Sequence, residues 1–487
     1  MHAAITRTSF IAAAALLAAC ANLPSSDVVL RQADNASGAA LVKSFSFTGR
    51  GTGSTFGQAW QPGNAWPLLN YSVLTRVADY DNGAFREDFG RSRGELTGGG
   101  ATPLMGQGET RSIGLARGEF AWNLAGTNAA ANPAALDARL HDLWTTPHGA
   151  IKAAQRNGAK IGSQSEGGQT FTTFSYSVPG HLAATAWVGT DGLISRIDST
   201  MPHPVLGDMD VTTRYSDWRD AGSGVKFPMR IRQTQGGFEV LDFAVQSVQV
   251  NPAVDIAVPD NVRNFAERVA SEKVADGVWF LGGGSHNSVA IEMSNHVVLV
   301  ESPLYDGRAA AVFAEVARLV PGKPIRTVIN SHHHFDHAGG LRAAAAEGAG
   351  LVTSSLAKPY FERVFANPNR IAPDKLAKSG RSAAIVGVDG RLALNDGARR
   401  IEIHEMQGSV HSVGFMLIYL PAERLLIEAD AYTPGAPGSA PPPVVNANNQ
   451  NLVDNIDRLQ LKVDRILPLH GRVVPMSELN AMVGRKS

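Results

Sequence analysis

The chain has 487 residues, more than one hydrophobic core ordinarily serves, so two folded domains are expected. Its 44% hydrophobic and 18% charged content excludes a disordered chain. Lys+Arg and Asp+Glu both number 44, and a formal charge of zero argues against a general nucleic-acid binder, which needs a basic face to meet phosphates.

Arg7 supplies a positive start, and Phe10 to Ala19 form a short apolar run that ends in small residues. The run falls short of the ~20 apolar residues that span a bilayer and has the layout of a secretory signal. It closes in Leu17-Ala18-Ala19-Cys20, which resembles a bacterial lipobox. That resemblance implies a lipid on Cys20 and a periplasm-facing protein held to a membrane. Ala21 in place of Asp after the cysteine favours the outer membrane. A plain signal peptide with a chance cysteine is the alternative. Cys20 is the only cysteine, so no internal disulfide framework is expected. Residues 1–19 therefore read as a signal peptide, and 20–43 as a lipid-anchored tether with a first short helix. No later run approaches transmembrane length, so the rest is expected to be soluble.

Residues 44–260 are rich in Gly, Thr, Ser and aromatics, in short alternating runs such as Phe171-Thr172-Thr173-Phe174-Ser175-Tyr176. Period-two alternation bounded by Gly and Pro predicts strands. One helix is expected near 134–155. This half reads as a mostly antiparallel β domain with helical cover. Its segment from Tyr215 to Pro259 resembles the last strands of half-barrel domains such as the periplasmic lipoprotein carriers. His141, His148, His181 and His203 lack ligand spacing and read as surface or packed histidines. Residues 251–271, with Pro252, Pro259 and a short helix over Asn261 to Val269, form the junction.

Beyond it, strands alternate with helices, an α/β arrangement. Strands are expected at Val289–Met293, His296–Glu301 and Ile325–Asn330, with a helix at Arg308–Leu319. The decisive stretch is Asn330-Ser331-His332-His333-His334-Phe335-Asp336-His337-Ala338-Gly339-Gly340. It lies between a buried-looking strand and an Ala-rich helix at Leu341 to Glu347, at the carboxyl end of a strand, where α/β proteins place their sites. Imidazole and carboxylate groups projecting from one tight loop suit zinc. Alternate residues of extended chain point the same way, so His332 and His334 can share one metal while His333 points elsewhere or makes a supporting hydrogen bond. Asp336 and His337, on the turn, can reach a second ion.

This His-x-His-x-Asp-His pattern resembles the signature of the metallo-β-lactamase superfamily, over roughly Ser271 to Ser487. Gly408-Ser409-Val410-His411, Glu428-Ala429-Asp430 and Leu467-Pro468-Leu469-His470-Gly471 resemble the family's later ligand loops, in the expected order. The resemblance implies an αββα sandwich over 272–487, making the chain α+β overall. It implies His332, His334 and His411 on a first metal, Asp336, His337 and His470 on a second, and Asp430 bridging both. Asp336 would also orient a hydroxide shared by the two metals, which makes it the catalytic residue. Two zinc ions are expected, with iron and manganese as alternatives.

His334, rather than Glu, at the motif's second position departs from the di-iron flavoprotein branch. Asp430, rather than Cys or Ser, resembles glyoxalase II and the lactonases more than dedicated antibiotic-cleaving members. Ala429 departs from the family's usual Gly. His286, in an early loop near the site, is expected to be structural, with a supporting or substrate contact as the alternative; His404 is expected to be an exposed strand residue, and Tyr432 either to pack or to bond substrate. The proline-rich loop from Thr433 to Asn449 reads equally as a pocket wall or as a solvated spacer before a helix at Leu452–Val463. The expected function is hydrolysis of a small ester, thioester, lactone or related bond. The alternatives are β-lactam hydrolysis, persulfide-type oxidation at a single iron, or a non-enzymatic cargo-binding lipoprotein. The expected partners are a small-molecule substrate and, through Cys20, a membrane, with no nucleic acid. No protein partner or oligomeric state is legible.

Overall fold

A computed structural model describes residues 24–94, 98–100 and 108–485. The predicted signal and Cys20 lie outside the described residues. Among the described residues, no helix is long and apolar enough to cross a membrane.

The N-terminal half is one 13-stranded antiparallel sheet. Its first strand, Ser44–Ser54, and its last, Phe238–Val250, pair at the centre, with Phe45 opposite Val250. From there the chain walks strand by strand to one edge at Asn128–Ala131. It then crosses to the other edge at Lys160–Glu166 and walks back. Alternation builds this sheet: Phe45 and Phe47 point inward, where their rings meet Phe227 and Phe243.

The crossing is helical. The single helix expected over 134–155 is two, Leu136–Trp144 and Pro147–Asn157. Pro147 explains the break: the residue before a proline is driven out of the helical region, and Thr146 sits at φ −60°, ψ 149°. The Thr146 side chain then accepts from Gly149 N and caps the second helix. The first of these helices touches strands of both wings, Ala84–Arg93 and Ile194–His203, so the sheet curves around it. The helix Ser26–Ser37 buries Val29, Leu30 and Ala33 in the same core, so the body of the domain begins well inside the predicted tether.

The junction helix is a single turn, Asp260–Arg263. The chain after it is drawn onto the second domain, where Tyr305 donates to Glu267 and Arg308 Nη1 donates to Arg268 O at 2.8 Å.

The C-terminal half stacks two sheets. The first runs from Ala270–Ala275 to Ile385–Val388; it is antiparallel up to Val297–Val300 and parallel through Ile325–Ile329 and Gly350–Ser354. The second holds six strands, including Met416–Leu420, Leu425–Glu428 and Arg465–Pro468. Val298, Val300 and Ile329 pack against Ile403, Leu417, Ile427 and Leu467 between the sheets. Helices Asp306–Leu319, Leu341–Ala346 and Lys358–Phe365 cover one outer face, and Ala447–Arg458 and Met476–Met482 the other. This is the αββα sandwich expected from the sequence.

The two halves meet at the motif loop. Phe335 inserts between Phe56, Trp66 and His203, with ring centroids 5.3, 6.3 and 4.9 Å away. Gly57 sits at φ +78°, where a Cβ would lie 2.4 Å from the Phe335 ring, so only glycine fits there.

Candidate metal centre

Strand ends at one rim of the sandwich carry the site. The strand Ile325–Ile329 runs straight into Ser331 to His337, and Met416 N donates to Ser331 O at 2.9 Å, tying this loop to the second sheet. His411 precedes Met416–Leu420, Asp430 follows Leu425–Glu428, and His470 follows Arg465–Pro468. Leu469 N donates to Glu428 O at 2.8 Å, holding the last two loops side by side.

All seven predicted residues converge. His332 Nε2, His334 Nδ1 and His411 Nε2 form a triangle with sides of 3.0, 2.9 and 3.2 Å. Ring nitrogens bound at about 2.0–2.1 Å to one tetrahedral zinc lie roughly 3.3 Å apart, so the triangle has the size a single ion needs. His337 Nε2 lies 3.1 Å from His470 Nε2 and 3.9 Å from Asp336 Oδ2. Asp430 stands between the groups: Oδ2 is 2.9 Å from His337, 3.4 Å from His332 and 3.7 Å from His411, and Oδ1 is 3.3 Å from His470. Ala429 does not prevent Asp430 from reaching both triads. These side chains form groups that could hold metal ions.

The surroundings aim the ligand atoms. A carbonyl can only accept, so His334 Nε2–H donates to Ala59 O at 2.9 Å and leaves Nδ1 for the site. His470 Nδ1–H donates likewise to Ser285 O at 2.9 Å, which turns Nε2 inward. The His332 ring stacks on Phe415, with centroids 4.9 Å apart. Burial, reinforced by neighbouring imidazoles, holds His332 and His334 well below the usual histidine range, so their lone pairs stay free. Burial alone would raise the carboxyl of Asp430, but His411, His337 and His470 outweigh it and keep the group ionised. Asp336 is lowered in the same way against its burial, by His337 and His286. Burial would lower His337, yet Asp430 and Asp336 hold it well above its ordinary value.

Several expectations change. His286 is not merely structural: its Nε2 lies 3.1 Å from Asp336 Oδ2 and its ring centroid 4.2 Å from that of His470, within the second group. The signal available was its place at the mouth of the strand Ser288–Glu292, on the same sheet as the motif. His404 is buried, only 5% exposed, and its Nε2 donates to Glu402 at 3.0 Å. His333 turns away from the triangle and donates from Nε2 to Ala59 O at 2.9 Å. Tyr432 is buried with its hydroxyl toward Glu478, a packing role. The proline-rich loop is anchored at its base, where Pro434 packs on Gly471, and exposed beyond, with Val444 79% exposed. His141 and His148 are packed in the N-terminal core, and His181 faces Asp137 on its surface.

Glu301 went unremarked as a functional residue. It is fully buried, sits at φ +65°, accepts from Ser331 N, and brings Oε2 within 3.7 Å of His337 Nδ1. A carboxylate behind a ligating histidine orients the ring and raises its basicity. Glu301→Gln is therefore expected to weaken the metal held by His337 by roughly 10–100-fold, the range typical of such supporting partners. Competition with a chromophoric chelator measures this, with an unchanged melting temperature as the control.

A cleft of about 860 Å³ opens at the domain junction, lined by His333, Phe335, Trp66, Tyr360 and Arg363 among others. None of the seven candidate ligands lines it, so it neighbours the site without containing it.

Residues 281–470 match the family model described as Metallo-beta-lactamase superfamily, and the C-terminal half is a metallo-β-lactamase superfamily domain. Among curated proteins, the chain is similar to the 2,4-dinitroanisole O-demethylase subunit alpha of Nocardioides sp. (strain JS1661), at 24% identity over 182 residues. That alignment covers 37% of this chain and 52% of the relative, so the chain spans about half the length of the curated protein it matches. Similar solved structures include a metallo-beta-lactamase from Pontibacter korlensis (15% identity, 45% of this chain and 98% of that one, TM-score 0.35). Another is a metallo-beta-lactamase from Hirschia baltica (19% identity, 45% and 99%, TM-score 0.33).

Proposed function

We propose that this chain is a dinuclear zinc-dependent hydrolase of a small ester, thioester, lactone or related bond. The observation that supports it is the pairing of two ligand triads about one carboxylate, Asp430. His332, His334 and His411 would hold one ion, Asp336, His337 and His470 the other, and Asp430 would touch both. Zinc held there supplies Lewis acidity toward a substrate oxygen and makes hydroxide available near neutral pH.

The chain's own residues do the rest. Neutral His332 and His334 offer lone pairs without first losing a proton. Asp336 is gripped on both oxygens, by Gln58 at 2.8 Å and His286 at 3.1 Å, so its carboxylate is fixed in direction and suited to orienting the attacking group. Asp430 in the bridging place supports a glyoxalase II- or lactonase-like ligand set. The name of the curated relative adds an aryl methyl ether to the bonds worth testing.

We read 44–260, with the helix Ser26–Ser37 packed into its core, and 272–487 as the two domains, the first as a half-barrel. The lipobox-like Leu17 to Cys20 supports export and a lipid anchor in the outer membrane, with a small molecule as the substrate and no nucleic-acid partner.

The test is metal analysis of the purified chain together with a panel of lactones, thioesters, esters and an aryl methyl ether. Two equivalents of zinc with turnover of one bond class are expected. One equivalent of iron, with oxidation and no hydrolysis, would show the reading to be wrong.

A further inference from the structure

The loop that joins the first two strands of the N-terminal sheet, residues 55–67, does more than pack against the second domain. It is closed at its base, where Thr55 N donates to Pro67 O at 2.8 Å, and its tip reaches the candidate ligands at several points. Gln58 Nε2 donates to Asp336 Oδ1 at 2.8 Å. Ala59 O accepts from the Nε2 atoms of both His333 and His334, each at 2.9 Å. Gly57 O accepts from Phe335 N at 3.2 Å, and Trp60 O from Val413 N at 3.0 Å, two residues beyond His411.

Gly100, in the connection between the strands Ala84–Arg93 and Thr110–Arg117 of the same sheet, lies over this loop. A Cβ on Gly100 would sit 2.8 Å from His334 Cε1, 2.9 Å from His411 Cε1 and 2.0 Å from Gln58 Oε1. Any larger residue there would push the two histidines or the glutamine aside.

From this we infer that the metal centre belongs to both domains: Gln58 is a positioning residue for Asp336, and the Ala59 carbonyl commits His334 to binding through Nδ1. The inference rests on the dinuclear reading above and adds to it. The chemistry is specific. Asp336 has two oxygens. If Gln58 and His286 each hold one, the carboxylate keeps a single orientation toward His337 and His470. Without the glutamine amide, Oδ1 loses its donor and the group can rotate. On the other side, His334 has two ring nitrogens, and a fixed backbone acceptor on Nε2 leaves only Nδ1 to face His332 and His411. The N-terminal domain thereby acts on each half of the site through a different atom.

The test is stepwise zinc affinity, by chelator competition, on the full chain and its Gln58→Leu and Gln58→Glu variants. Leu removes the donor and is one bond shorter than Gln; Glu keeps the length and sets a like charge against Asp336. For Gln58→Leu, one of the two affinities is expected to fall by roughly 10–100-fold while the other stays within about twofold, and Gln58→Glu is expected to cost more. Gly100→Ala, which presses on Gln58 as well as on His334 and His411, is expected to weaken both ions. If wild-type protein binds two zinc ions and Gln58→Leu leaves both affinities unchanged, the loop is domain packing and the inference is wrong while the dinuclear reading stands. If wild-type protein takes up no metal, both are overturned. Melting temperatures within a few degrees of wild type show that the variants fold.

Discussion

Asp430→Asn is expected to strip the protein of metal at both positions and to lower turnover by roughly 1,000-fold or more, beyond the ~10–100-fold typical of losing a supporting partner. Asn has nearly the shape of Asp, so the change tests charge and donor chemistry rather than packing. Asp430 faces four histidines within 3.7 Å. An amide offers one oxygen where the carboxylate offers two, and its NH₂ would turn a donor toward whatever cation the imidazoles hold. The same substitution removes the counter-charge that, against burial, raises His337 and His470. Metal content by mass spectrometry, read beside turnover, decides the matter. Two zinc ions retained with activity within tenfold of wild type would mean that Asp430 bridges nothing.

The second large effect lies far from the site. His148 is fully buried in the N-terminal core, 4.6 Å from the Phe45 ring and stacked on Phe227, with Nε2–H donating to Ser37 O at 3.3 Å. Burial pushes its pKa down to about 4. In the unfolded chain it returns to about 6.5. Above pH 6.5 both states are neutral and the folded state is at full strength. As pH falls toward 4 only the unfolded chain takes up the proton, so stability is lost at about 1.4 kcal/mol per pH unit, roughly 3 kcal/mol in all. Urea unfolding in the presence of chelator, from pH 7.5 to 4.5, is expected to show this loss. His148→Phe is expected to flatten the slope by that amount, even if it starts somewhat less stable for want of the Ser37 contact. Parallel slopes for the two proteins would mean that the imidazole is not held neutral.

The metal centre was legible partly from local pattern and partly from a family resemblance. His332 to His337 are consecutive in the chain, and local geometry alone sends alternate side chains to opposite sides. His411, Asp430 and His470 were legible through the resemblance of their loops to the family's later ligand loops, and each lies beside a strand. Strands in the first half were legible one at a time, through alternation such as Phe171 to Tyr176. Their order within the sheet was not, because pairing Ser44–Ser54 with Phe238–Val250 is a long-range event with no local trace. The break at Thr146-Pro147 is written in the sequence, in the proline itself. His404 was misjudged because burial depends on what covers a strand, not on the strand's own pattern. Gln58 had no signal at all: Thr55-Phe56-Gly57-Gln58-Ala59 looks like an ordinary hairpin loop, and only the docking of two domains brings it to Asp336.

That central pairing sets an order of events. The loop carrying Gln58 hangs from a strand whose other neighbour is the last of its sheet, so it is clamped on both sides only after residue 250 has been made and returned to residue 45. Distant pairings close late, because the chain loses loop entropy before the contacts repay it. A molecule refolding from its full length would complete this part of its cation cradle late. Loading with metal before that point would find Asp336 and His334 unrestrained, and a variant that loosens the Phe45–Val250 seam would show its defect first in ion retention, well before the sandwich itself melts.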